Sequence, residues 1–142
     1  MAVAGACGDE AGIGGERKEY IDALTPLCEN AVQEADQIGD ATDVASLEQV
    51  RNVWAELYGE IKARPIPSED FDGGQKFVAG INNIALAAED AYQSALINDN
   101  AAMQRALATE EKAKASTSQT ADGYGFEEGC NQLSETPNEE DQ

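Results

Sequence analysis

The sequence predicts an all-α protein: a four-helix up-down-up-down bundle with disordered N- and C-terminal tails. Between residues 16 and 130, apolar residues recur at steps of three and four, and few runs alternate with the period of a strand. Short turns rich in proline, glycine or acidic residues separate four such stretches. Helices joined by short connections pack most simply as antiparallel neighbours. A chain of 142 residues has room for one domain with one core.

The first helix is expected over residues 17–38. Its apolar stripe consists of Tyr20, Leu24, Leu27, Ala31, Ala35 and Ile38. Pro26 lies within this stripe and leaves two alternatives open. Either Thr25 caps a helix that restarts with Pro26 in its first turn, or Pro26 kinks one longer helix.

The other three helices are expected at the next three periodic stretches, residues 46–63, 69–97 and 100–121. Ser46 and Gln49 match a capping box at the start of the second helix. Asp99 or Asn100 caps the fourth. The apolar stripe of the fourth helix is weak, because it consists largely of alanine, which buries little area.

The chain is strongly acidic. It has 9 Lys and Arg against 28 Asp and Glu, which gives a formal net charge of -19 at pH 7. Such a chain repels nucleic-acid phosphates and anionic lipid head groups. We therefore expect no nucleic-acid partner, and contact with a membrane only through an attached lipid.

Several kinds of catalytic chemistry are excluded. The chain has no histidine, which removes Ser-His-Asp and Cys-His catalysis as well as histidine-based zinc sites. It has no CxxC pair, no GxSxG turn and no phosphate-binding loop. We therefore expect a protein that is not an enzyme and that has no cofactor.

Two carboxylate clusters are weak candidates for metal binding. Asp70-x-Asp72-Gly73 is a fragment of a calcium-loop spacing, but the later ligands are missing, so these residues are interpreted as helix caps and solvated loop. Glu110 and Glu111 fall near the inward face of the fourth helix. A di-metal site there would need Glu-x-x-His pairs, which the chain lacks, so no metal site is predicted.

A ligand pocket between the helices is a further candidate, because alanine-rich third and fourth helices leave room for one. The candidate lining residues are Trp54, Tyr58, Phe77, Tyr92 and Met103. Ordinary core packing is the alternative interpretation for the same side chains.

Cys28 lies on the first helix and Cys130 just beyond the fourth. In an up-down-up-down bundle these helices are antiparallel neighbours, so the two cysteines are in a plausible register for a disulfide. Such a bond would close about 100 residues and help a bundle whose fourth helix has a poor apolar face. Two unpaired thiols are the alternative.

Cys7 is the odd cysteine. The small residues Ala4, Gly5 and Ala6 precede it, and a glycine-rich acidic stretch follows. This arrangement resembles the lipobox of bacterial lipoproteins, in which the cysteine becomes the first residue of the mature chain and carries acyl chains. On that interpretation, Cys7 is the lipidation site.

The chain also resembles small exported lipoproteins of actinobacteria over about residues 20–130. The matching motifs are Tyr20-Ile21-Asp22-Ala23, Cys28-Glu29-Asn30-Ala31, Arg64-Pro65-Ile66-Pro67 and Tyr124-Gly125-Phe126 with the later Cys130. The resemblance implies a helical bundle at the cell envelope, closed by a Cys28–Cys130 bond. It implies a location and a fold, and it supplies no activity.

Together these observations predict a flexible tether over residues 1–15, a bundle over 16–130 and a disordered acidic tail over 131–142. The expected function is that of a monomeric, extracytoplasmic lipoprotein acting as a non-enzymatic binding or interaction module. Its partner would be an envelope protein. The alternative is a carrier of a small apolar ligand held between the helices.

Overall fold

The computed structural model describes residues 15–134, and these form a four-helix bundle without a strand. The helices are α1 (Gly15–Ile38), α2 (Val44–Lys62), α3 (Phe71–Leu96) and α4 (Asn100–Tyr124). Each helix packs on the next one along the chain, α1 on α2, α2 on α3 and α3 on α4. The all-α four-helix prediction is therefore confirmed.

The region around Pro26 is one continuous helix, as in the second of the two alternatives. Pro26 has no N–H to donate within α1. The preceding residue, Thr25, donates a hydrogen bond of 2.8 Å from its hydroxyl to the Ile21 carbonyl, one turn earlier. Side-chain bonding of this kind is common where a helix is locally perturbed.

The start of α2 differs from the predicted capping box. Asp43 is the N-cap, and its carboxylate accepts a hydrogen bond of 2.7 Å from the Ser46 backbone N–H. That hydrogen bond to the Ser46 backbone lowers the pKa of Asp43. A carboxylate is favoured over a hydroxyl at this position because it also interacts with the positive end of the helix dipole, so Ser46 becomes a residue of the first turn.

The Asp70-x-Asp72-Gly73 fragment forms the start of α3. Asp70 has a left-handed backbone, with φ 52°, and its side chain accepts a hydrogen bond from the Gly73 N–H. The Arg17 guanidinium of α1 lies 3.2 Å from the same carboxylate. Asp70 is thus a helix cap that also links α1 to α3.

The ends of α4 are close to those predicted. The Asp99 side chain accepts from the Ala102 N–H at 3.0 Å, which settles the choice between Asp99 and Asn100. The helix runs to Tyr124 and ends at Gly125, whose φ of 124° few other residues adopt.

The core contains most of the predicted stripes. The apolar residues at helical spacing on α2 are all buried, namely Leu47, Val50, Trp54, Leu57 and Ile61. On α4 the buried face is poorer in apolar side chains and includes Glu110 and Thr117. The close approach of α4 to α3 compensates in part for these small and polar side chains. A Cβ on Gly80 of α3 would lie 2.4 Å from the Thr117 hydroxyl oxygen of α4.

The segment after α4, residues 125–134, packs into the bundle beside α1. Phe126, Cys130 and Leu133 are almost fully buried. The Leu133 and Ser134 backbone N–H groups both donate to the Ser118 hydroxyl of α4. The folded part therefore continues to residue 134, beyond the predicted boundary at residue 130.

Gly129 allows this segment to approach α1. Its φ is +73°, and a Cβ at this position would lie 2.7 Å from the Thr25 carbonyl oxygen. A larger residue would therefore suffer both backbone strain and a clash. The next residue, Cys130, is thereby brought against α1.

The predicted disulfide is present. Cys28 and Cys130 are bonded, with Cα atoms 5.1 Å apart and a sequence separation of 102. Both residues are fully buried. The bond attaches the C-terminal segment to the middle of α1, where α1 and α4 make little direct backbone contact.

Most of the remaining predictions about the ends of the chain concern residues that the structure does not describe. Cys7, most of the proposed tether and the tail from residue 135 onwards lie outside the described residues. The alternating direction of successive helices stays a prediction.

We expect replacement of both bonded cysteines by alanine to lower the free energy of unfolding by about 4–5 kcal/mol. A closed loop of 102 residues restricts the unfolded chain by about this amount. Urea unfolding monitored by circular dichroism would measure the change.

The matched control for this experiment is Cys7→Ala, which removes the third thiol and leaves the disulfide intact. Its unfolding midpoint should equal that of the parent protein. A Cys28→Ala/Cys130→Ala variant as stable as this control would contradict the stabilising role of the bond.

Candidate functional site

A cleft of about 480 Å³ opens between α1, α2 and α4. It lies along the seam between the C-terminal half of α1 and the middle of α4, next to the C-terminal segment. This volume is within the usual range for small-molecule sites. The lining residues come from five parts of the chain: Val32, Ala35 and Asp36 of α1; Gly39, Asp40, Ala41 and Thr42 of the following turn; Leu47, Val50 and Trp54 of α2; Leu107, Glu110, Glu111 and Lys114 of α4; and Leu133.

Trp54 forms part of the wall and is only 1% exposed. Its indole Nε1 is buried and has no hydrogen-bond partner among the described residues. A buried tryptophan N–H usually finds an acceptor. Trp54 therefore offers an unused donor in a residue that lines the cleft.

Glu110 is the most unusual residue of the cleft, because it is a carboxylate that is only 4% exposed. Lys114, one turn later on α4, lies 3.4 Å from Glu110 and 3.1 Å from Glu111. The same ammonium lies 5.4 Å from the centre of the Trp54 ring. One cation is thus shared between two carboxylates and an aromatic face.

This shared cation does not fully compensate Glu110. Burial raises the pKa of Glu110, while the charge of Lys114 and its hydrogen bond lower it to a smaller extent. The net shift is upward, so the ionised form costs free energy in this environment. A buried carboxylate with one shared partner also keeps unused acceptor positions.

The charge of the whole cleft is negative. Asp36 and Asp40 join Glu110 and Glu111 in the lining, and Lys114 is the one basic lining residue. Apolar side chains such as Val50 and Leu107 cover much of the remaining wall. The cleft is therefore an acidic site with an apolar wall, open to solvent.

The lining lacks the residue pairs of covalent catalysis. It contains no cysteine or histidine, and its hydroxyl side chain is that of the exposed Thr42. A nucleophile beside a base, which covalent catalysis needs, is not found in this group of residues. The arrangement is suited to binding.

Of the five predicted pocket residues, Trp54 lines this cleft and the others do not. Phe77 is fully buried in the main core and Tyr58 packs against that core. Met103 belongs to a smaller core cluster, and Tyr92 packs against it. These four side chains fill space between helices, as in the alternative interpretation of core packing.

The sequence places Glu110 near the inward face of the fourth helix but does not show that it borders a cleft. It falls on the inward stripe of α4, four residues after Ala106 and seven before Thr117. The pattern therefore indicated a charged residue on a buried face. That this face borders a cleft depends on how α1, α2 and Leu133 lie opposite it, which the stripe does not reveal.

Two further properties concern the described part of the chain. Among residues 15–134, no group of three or more cysteine or acidic side chains is arranged to hold a metal ion. Over the same residues, no helix is both long and apolar enough to cross a membrane.

Comparisons with known proteins provide no relatives for this chain. No protein-family model matches it, no curated protein matches it, and no solved structure matches it.

We expect Glu110→Gln to gain stability relative to the parent protein as the pH rises from about 4 to about 7. Because the folded pKa of Glu110 is raised, its stabilising contribution is present below its unfolded pKa. That contribution is lost as the pH rises through the folded pKa. Urea unfolding at several pH values would measure the difference between the two proteins.

Glu111→Gln is the matched control, because it removes the same charge from the neighbouring residue, whose side chain is 61% exposed. Asp36 and Asp40 also face the cleft, and both are retained in the two variants. Parallel pH profiles for Glu110→Gln and Glu111→Gln would show that burial of Glu110 has no effect of its own.

Proposed function

We propose that this chain is a non-enzymatic binding module of the cell envelope, and that the cleft between α1, α2 and α4 is its binding site. The observation that carries the proposal is the cleft itself: about 480 Å³, with a buried carboxylate and an unpartnered indole N–H in its lining. Pockets of this size with a few convergent polar groups are the usual form of a ligand site.

The location belongs to the proposal and has separate support. A buried disulfide between Cys28 and Cys130 is typical of proteins exposed to an oxidising compartment. The lipobox-like residues before Cys7 add a means of attachment, since acyl chains on that cysteine would hold the module at a membrane surface.

The second candidate function is a carrier of a small apolar ligand. The apolar wall formed by Val50, Trp54 and Leu107 favours it. The open, acidic lining favours a charged ligand instead, because an apolar ligand would desolvate carboxylates without pairing them. We therefore rank the carrier second.

Binding at the cleft can be tested through Trp54, because the chain has one tryptophan and therefore gives one indole signal in a ¹H–¹⁵N spectrum. We expect this signal to shift when a panel of neutral, cationic and anionic fragments is added at millimolar concentration. Ala35→Phe, which narrows the cleft, should abolish the shift.

Ala55→Phe is the control for that experiment, since it places the same side chain at an exposed position of α2 outside the cleft lining. It should leave the shift unchanged. If no fragment of any charge moves the indole signal, the cleft is not a binding site and the proposed function fails.

The location is tested by the intact mass of the protein made in its native host, with and without reductant. We expect a chain beginning at Cys7 with a lipid-sized increment, and a two-hydrogen deficit that reductant reverses. An unmodified, fully reduced chain would overturn the envelope location, whatever the outcome of the binding experiment.

A further inference from the structure

We propose that the ligand of the cleft is an organic cation: an ammonium group on an apolar stem, with an oxygen acceptor near the stem. This inference rests on the proposed function and specifies its ligand class. It follows from three features of the cleft, which are its charge balance, its apolar wall and its unused donor.

The charge balance favours a cation. The lining carries four carboxylates, Asp36, Asp40, Glu110 and Glu111, against the single ammonium of Lys114. Lys114 is committed to Glu110 and Glu111 at 3.4 and 3.1 Å, and no ion pair of Asp36 or Asp40 occurs within residues 15–134. A second cation would therefore enter a site with an excess of negative charge.

Glu110 differs from the other three carboxylates because it is buried, whereas they are exposed. Glu110 is 4% exposed, and its contact with Lys114 is longer than a strong charge-assisted hydrogen bond, which measures about 2.7–2.9 Å. An additional cation beside it would supply the compensation that a buried carboxylate requires.

The wall and the free donor define the rest of the ligand. Val50, Leu107 and Trp54 present apolar surface that a hydrocarbon stem can cover. The Trp54 Nε1–H is buried and lacks an acceptor among residues 15–134, and in this proposal a carbonyl or hydroxyl oxygen of the ligand becomes its acceptor. The Trp54 ring already attracts the Lys114 ammonium, and aromatic faces attract organic cations in the same way.

Other occupants fit the charges less well. The chain's own residues 135–142 carry four acidic residues and no basic one, and a second copy carries the same net charge of -19. Both would bring negative charge to an acidic cleft. An ammonium ligand from outside the chain is the complementary choice.

The test uses the full chain with its disulfide formed and measures dissociation constants by calorimetry and Trp54 fluorescence. The probes are N-acetyl-lysine N-methylamide and its neutral analogue N-acetyl-norleucine N-methylamide, which have the same carbonyl groups and similar stems. We expect the lysine probe to bind at least about tenfold more tightly, since pairing a charge in a partly buried site is worth that much.

Two variants assign the effect to the cleft. Glu110→Gln should weaken binding of the lysine probe about tenfold, whereas Glu111→Gln, with the same change in net charge, should have a smaller effect because Glu111 is exposed. Circular dichroism checks that both variants are folded. Equal losses of affinity for the lysine probe in the two variants would show that the probe responds only to the general surface charge. That result would overturn the proposal.

The pH dependence gives an independent readout. A cation prefers ionised Glu110, so affinity for the lysine probe should rise as the pH rises through the pKa of Glu110, and this rise should be absent in Glu110→Gln. The other charged groups facing the cleft are Asp36 and Asp40 from α1 and its turn, and Glu111 and Lys114 from α4. The lining residues from α2 carry no charge.

The outcomes separate this inference from the proposed function. If the norleucine probe binds as tightly as the lysine probe, the cleft is a binding site for apolar ligands, and the proposal of a cationic ligand is wrong. If neither probe binds and no fragment shifts Trp54, both proposals fail. If hexylammonium binds more tightly than the lysine probe, the ligand is a cation but needs no oxygen acceptor. The ligand would then be a free amine instead of a lysine side chain of a peptide.

Discussion

The bond between Cys28 and Cys130 is the constraint on which the rest of this bundle depends. The inward face of α4 has Met103 and Tyr124 near its two ends but only alanine, threonine and a buried glutamate between them, so it cannot cover α1 with a continuous apolar surface. The segment after α4 takes over that role and is held against α1 by the disulfide and by Gly129. A small bundle whose fourth helix has a poor apolar face is thus stabilised by a disulfide.

The same arrangement explains why a cleft exists. Phe126, Cys130 and Leu133 fill the seam between α1 and α4 over part of its length. Leu133 also lines the cleft, together with Trp54 from α2 and Glu110 and Lys114 from α4. The site therefore adjoins the packed C-terminal segment.

Charge gives this site its chemical character. A chain of net charge -19 repels other anions. In the cleft, the same excess acts at close range beside a buried carboxylate and an aromatic ring. Low dielectric surroundings strengthen such interactions, so the proposed preference for an organic cation is a local consequence of the overall composition.

The sequence by itself predicted the four helices, because the period of apolar residues along each helix is a local property. It also indicated the disulfide, since Cys28 on the first helix and Cys130 just beyond the fourth are in a plausible register when those helices are antiparallel neighbours. Only the tertiary structure decided that Leu133 is core, and that Phe77 and Met103 fill space while Glu110 borders a cleft. Each of these depends on contacts between distant segments, and the periodicity of one helix identifies an inward position without showing whether protein or solvent lies opposite.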